Sequence, residues 1–536
     1  MRTNIPEPLI PTRIRCHAAD WSLMVSLAVY LIAVMAMWWL IHDRTGEISY
    51  TVDDAYIHGT LARNIAEHGS FGIVPGEFAA ASSSPLWTVL MAVIFFVTGA
   101  QSWVPAALAT LFGALAVERC NVLLKRMGSG PVTRTTVILM AIAFAPLLPI
   151  ISTGMEHTLH AWALVGLFGS LLAASGDEGQ RPGVIFLWAA LAAGSRYESL
   201  FALPPLLIWL ALRRKWLTAT GLAAGMALPV LAFAAYSLAH GGYALPNSLM
   251  LKGNFTGAFD LRILNLLLRN QHLMMVAVYL VIAALVHFSY GRKSGSKLAW
   301  LPVTVLVMLL THVQLAQLGW FWRYEGYLMI LGLLAATSVF IPLQDWLARA
   351  PRIIPGVMIA LLICYTYPMY RRSLRAHSDI VHAVGNVHDQ QRQMARVVSL
   401  LGKDARVAAN DLGAVSFFSD ARVLDLWGLG DNRIARAKRN RIKVADYLPA
   451  RIEEEKIEFA VCYPSWFRPP TALPSTFIAV EAWKLGDNLI CGSDTVVFYA
   501  ASREAADRLA AALQLYRAGL KPDPRSTNRM HPLVYR

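Results

Sequence analysis

Long apolar runs separated by short polar turns leave this chain few ways to fold. The first, residues 21–41, is long enough to cross a bilayer, since a spanning helix needs roughly 20 apolar residues. Further candidate spans follow at 103–124, 134–151, 157–174, 183–195, 199–212, 216–238, 273–290, 298–316, 326–342 and 353–370, about eleven by that length rule. Only 15% of the 536 residues are charged, against 56% hydrophobic. A soluble domain carries nearer ~25% charged residues, so the sequence reads as a polytopic α-helical membrane protein.

A net charge of +14 would suit a nucleic-acid binder, but the basic residues form short clusters between the apolar runs. Such clusters orient polytopic proteins, marking the cytoplasmic side. The short segment Pro85–Thr98 decides the threading. Read as a juxtamembrane helix rather than a span, it puts Arg13 and Arg15, Lys125 and Arg126, Arg213 and Arg214, Arg292 and Lys293, and Arg349 and Arg352 on one side. Residues 1–20 are then a cytoplasmic N-terminus and 21–370 a transmembrane domain whose first periplasmic loop is 42–102. Residues 371–520 form a periplasmic α/β domain, with strand-like runs at 407–410 and 459–463 between helix-like segments, and 521–536 a polar tail. The first apolar run is too long for a signal peptide and lacks a small-residue cleavage site. The five cysteines show no metal-ligand spacing; Cys462 and Cys491 either pair as a disulfide outside the cytosol or stay free.

On this threading the charged and amphipathic interruptions meet one membrane face, while the other carries basic clusters and turns. Residues 53–68 read as a helix ended by Gly69, with Asp53 as candidate N-cap and Asp54, His58 and Leu61 on one face. Capping accounts for Asp53 but not for Asp54 or for Tyr56, His58, Arg63 and Asn64 behind it. Ser84 is a sound N-cap with Pro85 at the first helical position. Trp87 beside it is either an interface anchor or a platform for a sugar. Arg196 and Glu198 interrupt an apolar stretch, and charges at membrane depth pair or line a cavity. Arg323 lies in Trp320-Phe-Trp-Arg-Tyr324. Its planar fork suits phosphate, and snorkelling to headgroups is the competing account.

The run Asp53-Asp-Ala-Tyr-Ile57, Arg63-Asn64, Gly69-Ser-Phe-Gly72, Pro75-Gly-Glu77 and Ser84-Pro-Leu-Trp87 resembles the first extracytoplasmic loop of GT-C fold glycosyltransferases. It is most similar to the arabinofuranosyltransferases of bacterial cell envelopes, which use a polyprenyl-phosphate sugar donor. Ser152-Thr-Gly-Met-Glu156, Ser195-Arg-Tyr-Glu198, Leu245-Pro-Asn247 with Lys252, Arg323-Tyr324, Asn410-Asp-Leu-Gly413 and Leu424-Asp-Leu-Trp-Gly-Leu429 look like later motifs of that group, in order. The stretch Ala79-Ala-Ala-Ser82 is plainer than the group's pattern, which leaves the acceptor open.

The resemblance implies a GT-C-like catalytic domain over 21–370 and transfer of arabinofuranose or a related pentose from polyprenyl phosphate to an envelope glycan, lipid or protein. The reaction would occur at the periplasmic face of a bacterial inner membrane. The donor carries its own leaving group, so the enzyme must bind phosphate, exclude water and deprotonate the acceptor. By position the resemblance favours Asp53 as base, with Asp54 orienting the acceptor or helping position His58. It makes Arg323, Arg196 and Lys252 the candidates for donor phosphate. His58, Arg63, Asn64, Trp87, Glu156, His157, Glu198, Asn247 and Tyr324 are then candidates for the substrates. No cofactor is implied with certainty, and whether the acids hold a divalent cation stays open. The alternatives are a flippase or transporter for the same lipid-linked sugar, or another GT-C transferase acting on protein or lipid A.

Overall fold

The computed structural model describes residues 20–175, 181–252, 262–294, 298–339, 351, 353–466, 473–519 and 531–533. Five of its helices are long and apolar enough to cross a membrane: Trp21–Thr45, Val104–Arg126, His157–Ser175, Trp216–Ala239 and Gln271–Ser289. The run 353–370 lies within the 26-residue helix Ile353–Ser378, and the other apolar runs form shorter helices, so the expected span count is not reproduced at full length. The run at 134–151 breaks at Pro146 into Pro131–Phe144 and Leu147–Ser152, because proline removes a backbone donor and crowds the preceding turn. The runs 183–195 and 199–212 become Pro182–Ser195 and a 3-10 turn, Tyr197–Ala202, continued by Leu203–Leu212. These two short helices form a hairpin. Lys215 donates to the Ala174 carbonyl, and a Cβ on Gly221 would stand 2.8 Å from the Pro182 carbonyl, so those ends lie together and Arg196–Glu198 caps the opposite end.

The segment Pro85–Thr98 folds as a 14-residue helix. Ser84 caps it, accepting from the Trp87 amide at 3.3 Å, with Pro85 at the first position as expected. Trp87, Met91 and Phe95 are buried, while Val93, Phe96 and Val97 are exposed. An apolar face left bare beside a packed one suits a helix lying in a membrane interface.

The C-terminal part is built on a six-stranded sheet of order β2-β1-β3-β5-β4-β6. Its strands are β1 (Arg406–Ala409), β2 (Arg422–Asp425), β3 (Phe459–Cys462), β4 (Ile478–Lys484), β5 (Thr495–Ala500) and β6 (His531–Leu533). β1 pairs in parallel with β2 and β3, and the remaining pairings are antiparallel. The chain passes from β1 to β2 on one side and returns to β3 on the other. That reversal opens a crevice beyond the carboxyl end of β1, where open α/β sheets take their ligands. Cys462 and Cys491 are both buried free thiols, so the disulfide alternative is excluded.

Part of the first loop occupies that crevice. The helix Asp54–His68 ends at Gly69, whose left-handed φ of 65° lets its amide reach the Ile65 carbonyl at 3.1 Å. It lies against the short helix Gly413–Phe418 that follows β1. Asp53 is not a side-chain cap for its own helix. Its carboxylate instead accepts from the Gly413 amide at 2.5 Å and the Ala414 amide at 2.8 Å. Ten residues on, Arg63 donates to the Ser416 and Phe417 carbonyls, each at 3.0 Å. The short helix is thus gripped at both ends, carboxyl oxygens on its amides and a guanidinium on its carbonyls, which satisfies groups that a helix leaves unpaired at its termini. Gly413 is required by proximity: a Cβ there would stand 2.2 Å from the Asp53 carbonyl oxygen. Ile57, Leu61, Phe71 and Ile73 share one hydrophobic core with Val407, Leu412, Val415 and Phe459. The first loop and the sheet are therefore one packed unit.

Arg63→Ala removes one jaw of this grip and strands two carbonyls. Hydrogen bonds to charged groups contribute about 2 kcal/mol each, so thermal unfolding in detergent should begin several degrees lower. Tryptic cleavage within 400–420 should appear earlier, and an unchanged midpoint and digest would show that Arg63 contributes no docking energy.

Candidate active site

Helix geometry sends neighbouring side chains about 100° apart, and here it divides the two acids between two partners. Asp53 points to the sheet. Asp54 points into a cavity of about 290 Å³ beneath it. The two carboxylates therefore do not form a joint chelate. Among the described residues, no three of His, Cys, Asp or Glu cluster as metal ligands would.

Four separate segments line the polar end of the cavity: Asp54 and His58 from the first-loop helix, Ser83 before the next helix, Arg196 and Glu198 from the hairpin tip, and Arg323 with Tyr324. Asp54 is ion-paired with Arg323. Arg323 is 1% exposed, donates to the Met155 sulfur at 2.7 Å, and lies 4.9 Å from the Tyr324 ring centre. Among the described residues its Nε has no hydrogen-bond partner. Gly319, Trp320, Phe321 and Trp322, the residues that deliver it, all have φ between 42° and 77°. Each left-handed non-glycine residue costs roughly 1–2 kcal/mol, so this turn is held by its surroundings. Glu325 supplies part of that hold, accepting from the Gly319 amide at 2.9 Å and from Arg372 at 2.6 Å.

Arg196 binds two carboxylates, Glu156 at 2.7 Å and Glu198 at 2.5 Å. All three are buried, which ion pairing makes tolerable at such depth. His58 sits between this group and the serine run: Nδ1 is 3.2 Å from both Thr88 and Ser82, and Nε2 is 3.4 Å from Ser83 and 3.8 Å from Glu156. Burial holds the imidazole below its ordinary pKa despite Glu156 and Asp54, so it is neutral at pH 7. Burial likewise pushes the Asp53 carboxyl well above the usual carboxylate range, and neighbouring Asp411 adds to it against the pull of the Ala414 and Gly413 amides.

The sequence candidates thus separate. Asp54, His58, Arg196, Glu198, Arg323 and Tyr324 line the cavity, and Glu156 stands directly behind Arg196 and Ser83. Asp53 and Arg63 dock the sheet. Asn64 pins the loop by donating to the Gly72 and Ile73 carbonyls at 2.7 and 2.9 Å. Asn247 donates to the Leu429 carbonyl at 3.0 Å and to Asn432 at 2.8 Å, tying the membrane part to the loop after β2. Trp87 is fully buried, packed near Phe112, which removes both the interface-anchor and the sugar-platform readings. His157 lies behind Tyr324, outside the cavity. The Lys252 side chain falls outside the described residues. Sequence reasoning missed Met155, Tyr197, Ser248, Gln317 and Leu429 as lining residues. Tyr197, Met155 and Leu429 sit inside motifs already singled out, so a signal for them was present; Ser248 and Gln317 are single polar residues with none.

The remaining walls are apolar, with Ile57, Leu200, Phe201, Val230 and Leu249 among them. Tyr197 also borders a second cavity of about 530 Å³ running between the first loop and the helices Pro182–Ser195 and Trp216–Ala239. Its lining is apolar apart from the tyrosine hydroxyls, with Phe71, Leu86, Leu191, Pro229 and Phe233 among the residues.

The architecture matches solved structures of GT-C glycosyltransferases. ArnT from Cupriavidus metallidurans bound to undecaprenyl phosphate aligns with a TM-score of 0.54 and 10% identity, covering 91% of this chain and 99% of that one. The oligosaccharyltransferase of Archaeoglobus fulgidus gives 0.54 and 13%, covering 83% and 70% respectively. Identities this low establish the shared fold and nothing finer. The arabinofuranosyltransferase AftD from Mycobacteria, at a TM-score of 0.47 and 15% identity over 90% of this chain and 40% of its own, is too distant in shape to add to that. Residues 382–499 match a family model described as a domain of unknown function, DUF8728. Among curated proteins, none matches the chain. The protein is thus a multi-pass membrane protein of the GT-C fold.

Neutral His58 makes stability depend on pH. Its folded pKa lies below the unfolded value of about 6.5, so on acidification the unfolded chain takes up the proton first. The associated stability is complete above that value and is lost as the pH falls toward the depressed one. Between pH 7 and 5 the wild-type melting temperature should therefore drop more steeply than that of His58→Asn, which keeps a polar group near Thr88 and Ser82. Parallel curves would show that His58 does not titrate differently on unfolding.

Proposed function

We propose that this protein transfers a sugar from a polyprenyl-phosphate donor to an acceptor hydroxyl at the extracytoplasmic surface of a bacterial inner membrane. The observation that carries the reading is the cavity. In a fold shared with glycosyltransferases, it joins an acid, two guanidinium groups and a neutral histidine to apolar walls that continue past Tyr197. The resemblance of the first loop supports a pentose, arabinofuranose or a relative, as the transferred sugar. The 530 Å³ apolar cavity is of the kind that takes a prenyl chain.

Asp54 is the proposed base. In the resting site it is engaged by Arg323. A donor phosphate offers the same guanidinium two oxygens and a higher charge, and the unpartnered Nε is a further donor for it. Transfer of Arg323 to the phosphate releases Asp54 toward the acceptor. The acceptor oxygen then bonds to the anomeric carbon, the bond from that carbon to the phosphate oxygen breaks, and the acceptor proton passes to Asp54. The charge that develops on the departing lipid phosphate rests on Arg323. Arg196 is neutralised twice over, which leaves it to hold Glu156 and Glu198 where sugar hydroxyls can bond to them. Asp53 is the proposed positioning residue: its grip on the sheet fixes the turn of helix that carries Asp54.

The test is transfer by purified protein, in detergent, from a labelled polyprenyl-phosphate pentose to an envelope extract. Product formed without compartments excludes a pure flippase. Removing a general base costs 10²–10⁴-fold, so Asp54→Asn should lower turnover by about 1,000-fold while Asp53→Asn, acting through position, costs about tenfold. An inactive Asp53→Asn beside a near-normal Asp54→Asn would return the base to Asp53.

A further inference from the structure

The helix Asn432–Arg439, which follows the loop after β2, contains no acidic residue, and the turn after it adds Arg441 and Lys443. Within it Arg433 is paired with Glu454 at 2.6 Å, and Lys438 is turned inward, donating to the Trp427 carbonyl at 2.7 Å. Arg436, Arg439, Arg441 and Lys443 are exposed, and among the described residues no carboxylate pairs with them. Solvated faces of surface helices ordinarily mix both signs, and this one does not.

Its position is fixed by three contacts. The guanidinium carbons of Arg436 and Arg439 stand 5.7 and 5.0 Å from the centre of the Tyr243 ring. Arg436 also donates to the Gly241 carbonyl at 3.3 Å. Gly241 and Tyr243 come immediately after Trp216–Ala239, a helix of 24 residues that is apolar enough to span and carries Leu231 and Leu238 exposed. The cations therefore sit at the height where that helix leaves the bilayer, beside a tyrosine of the kind that settles at headgroup level. Ile442, 45% exposed, lies among them and gives the patch an apolar tooth.

We propose that Arg436, Arg439, Arg441 and Lys443 form a docking surface for the phosphate headgroups of anionic lipids in the leaflet where the Trp216–Ala239 helix ends. A fourfold positive surface at that height faces a layer of phosphates within a Debye length, so the charges attract without needing a shaped pocket. The same helix begins at Asn432, which Asn247 ties to the cavity roof, so headgroup contact steadies the loop that carries Leu429 over the cavity. The assignment does not depend on the transferase reading.

The test is hydrogen–deuterium exchange of the full chain in nanodiscs of phosphatidylcholine alone or mixed with phosphatidylglycerol. Amides in 436–444 should exchange several-fold more slowly in the anionic discs, and high salt should abolish the difference. R441Q/K443Q leaves the Arg436 and Arg439 contacts with Tyr243 and Gly241 in place, so it should melt like the wild type and lose most of the lipid-dependent protection. Equal exchange in both discs, or protection that survives in the variant, overturns the proposal. Protection reproduced in phosphatidylcholine discs by inorganic phosphate overturns the lipid assignment in favour of a free-anion site.

Discussion

The Asp53 carboxylate, resting on the Gly413 and Ala414 amides, is the contact on which the arrangement of the molecule turns. It joins the first loop of the membrane part to the switch point of a sheet more than 350 residues later in the chain. In a free-standing α/β domain that crevice, lined by backbone amides at the start of a helix, is where a ligand's anionic group would sit. Here the chain supplies the acceptor itself, the carboxyl oxygens of Asp53. Arg63 at the other end of the Gly413–Phe418 helix fixes the axial register, and the shared core around Leu61, Phe71 and Val415 removes the remaining freedom. The sheet thus acts as a jig for a single helical turn.

The cavity shows why such rigidity is needed. Asp54, Glu156 and Glu198 face Arg196 and Arg323, five formal charges in and just behind one cavity. Desolvating charges costs several kcal/mol each, and only well-made pairs recover it. Every guanidinium in the cavity is accordingly committed to a carboxylate, and His58 stays neutral rather than add a third cation. The left-handed turn from Gly319 to Trp322 is the local cost of bringing Arg323 to Asp54, and the buried Glu325–Arg372 pair holds it closed. In the proposed reaction a phosphate that takes Arg323 must displace Asp54, which ties occupancy to rearrangement of that acid.

Much of this was legible in the sequence, and the limits of that legibility have physical causes. Hydropathy identified the apolar runs but not all their lengths in space, because Pro146 breaks the chain where composition does not change; the charged break at Arg196–Glu198 was visible. The Ser84 cap with Pro85 was readable because capping is local. Asp53 looked like a cap for the same reason and is not one, since its partners are amides of residues 413 and 414, which no local rule can see. Arg63, Asn64 and Asn247 were rightly singled out as polar residues with a task, yet the task is docking. Adjacency in sequence made Asp53 and Asp54 appear to be one feature; their separation by a helical step makes them two.

That separation bears on why both acids stand side by side. A group that must receive a proton has to move slightly when its partner is exchanged, so it cannot also anchor the helix. Dividing the labour between neighbours keeps the anchor within one residue of the moving part, where a rigid helix transmits position with the least slack. A longer separation would place a softer stretch of backbone between the grip and the cavity. In the proposed reaction a sugar on a phosphate leaves without acid assistance, so one mobile carboxylate would suffice. The second is spent on holding the first in place.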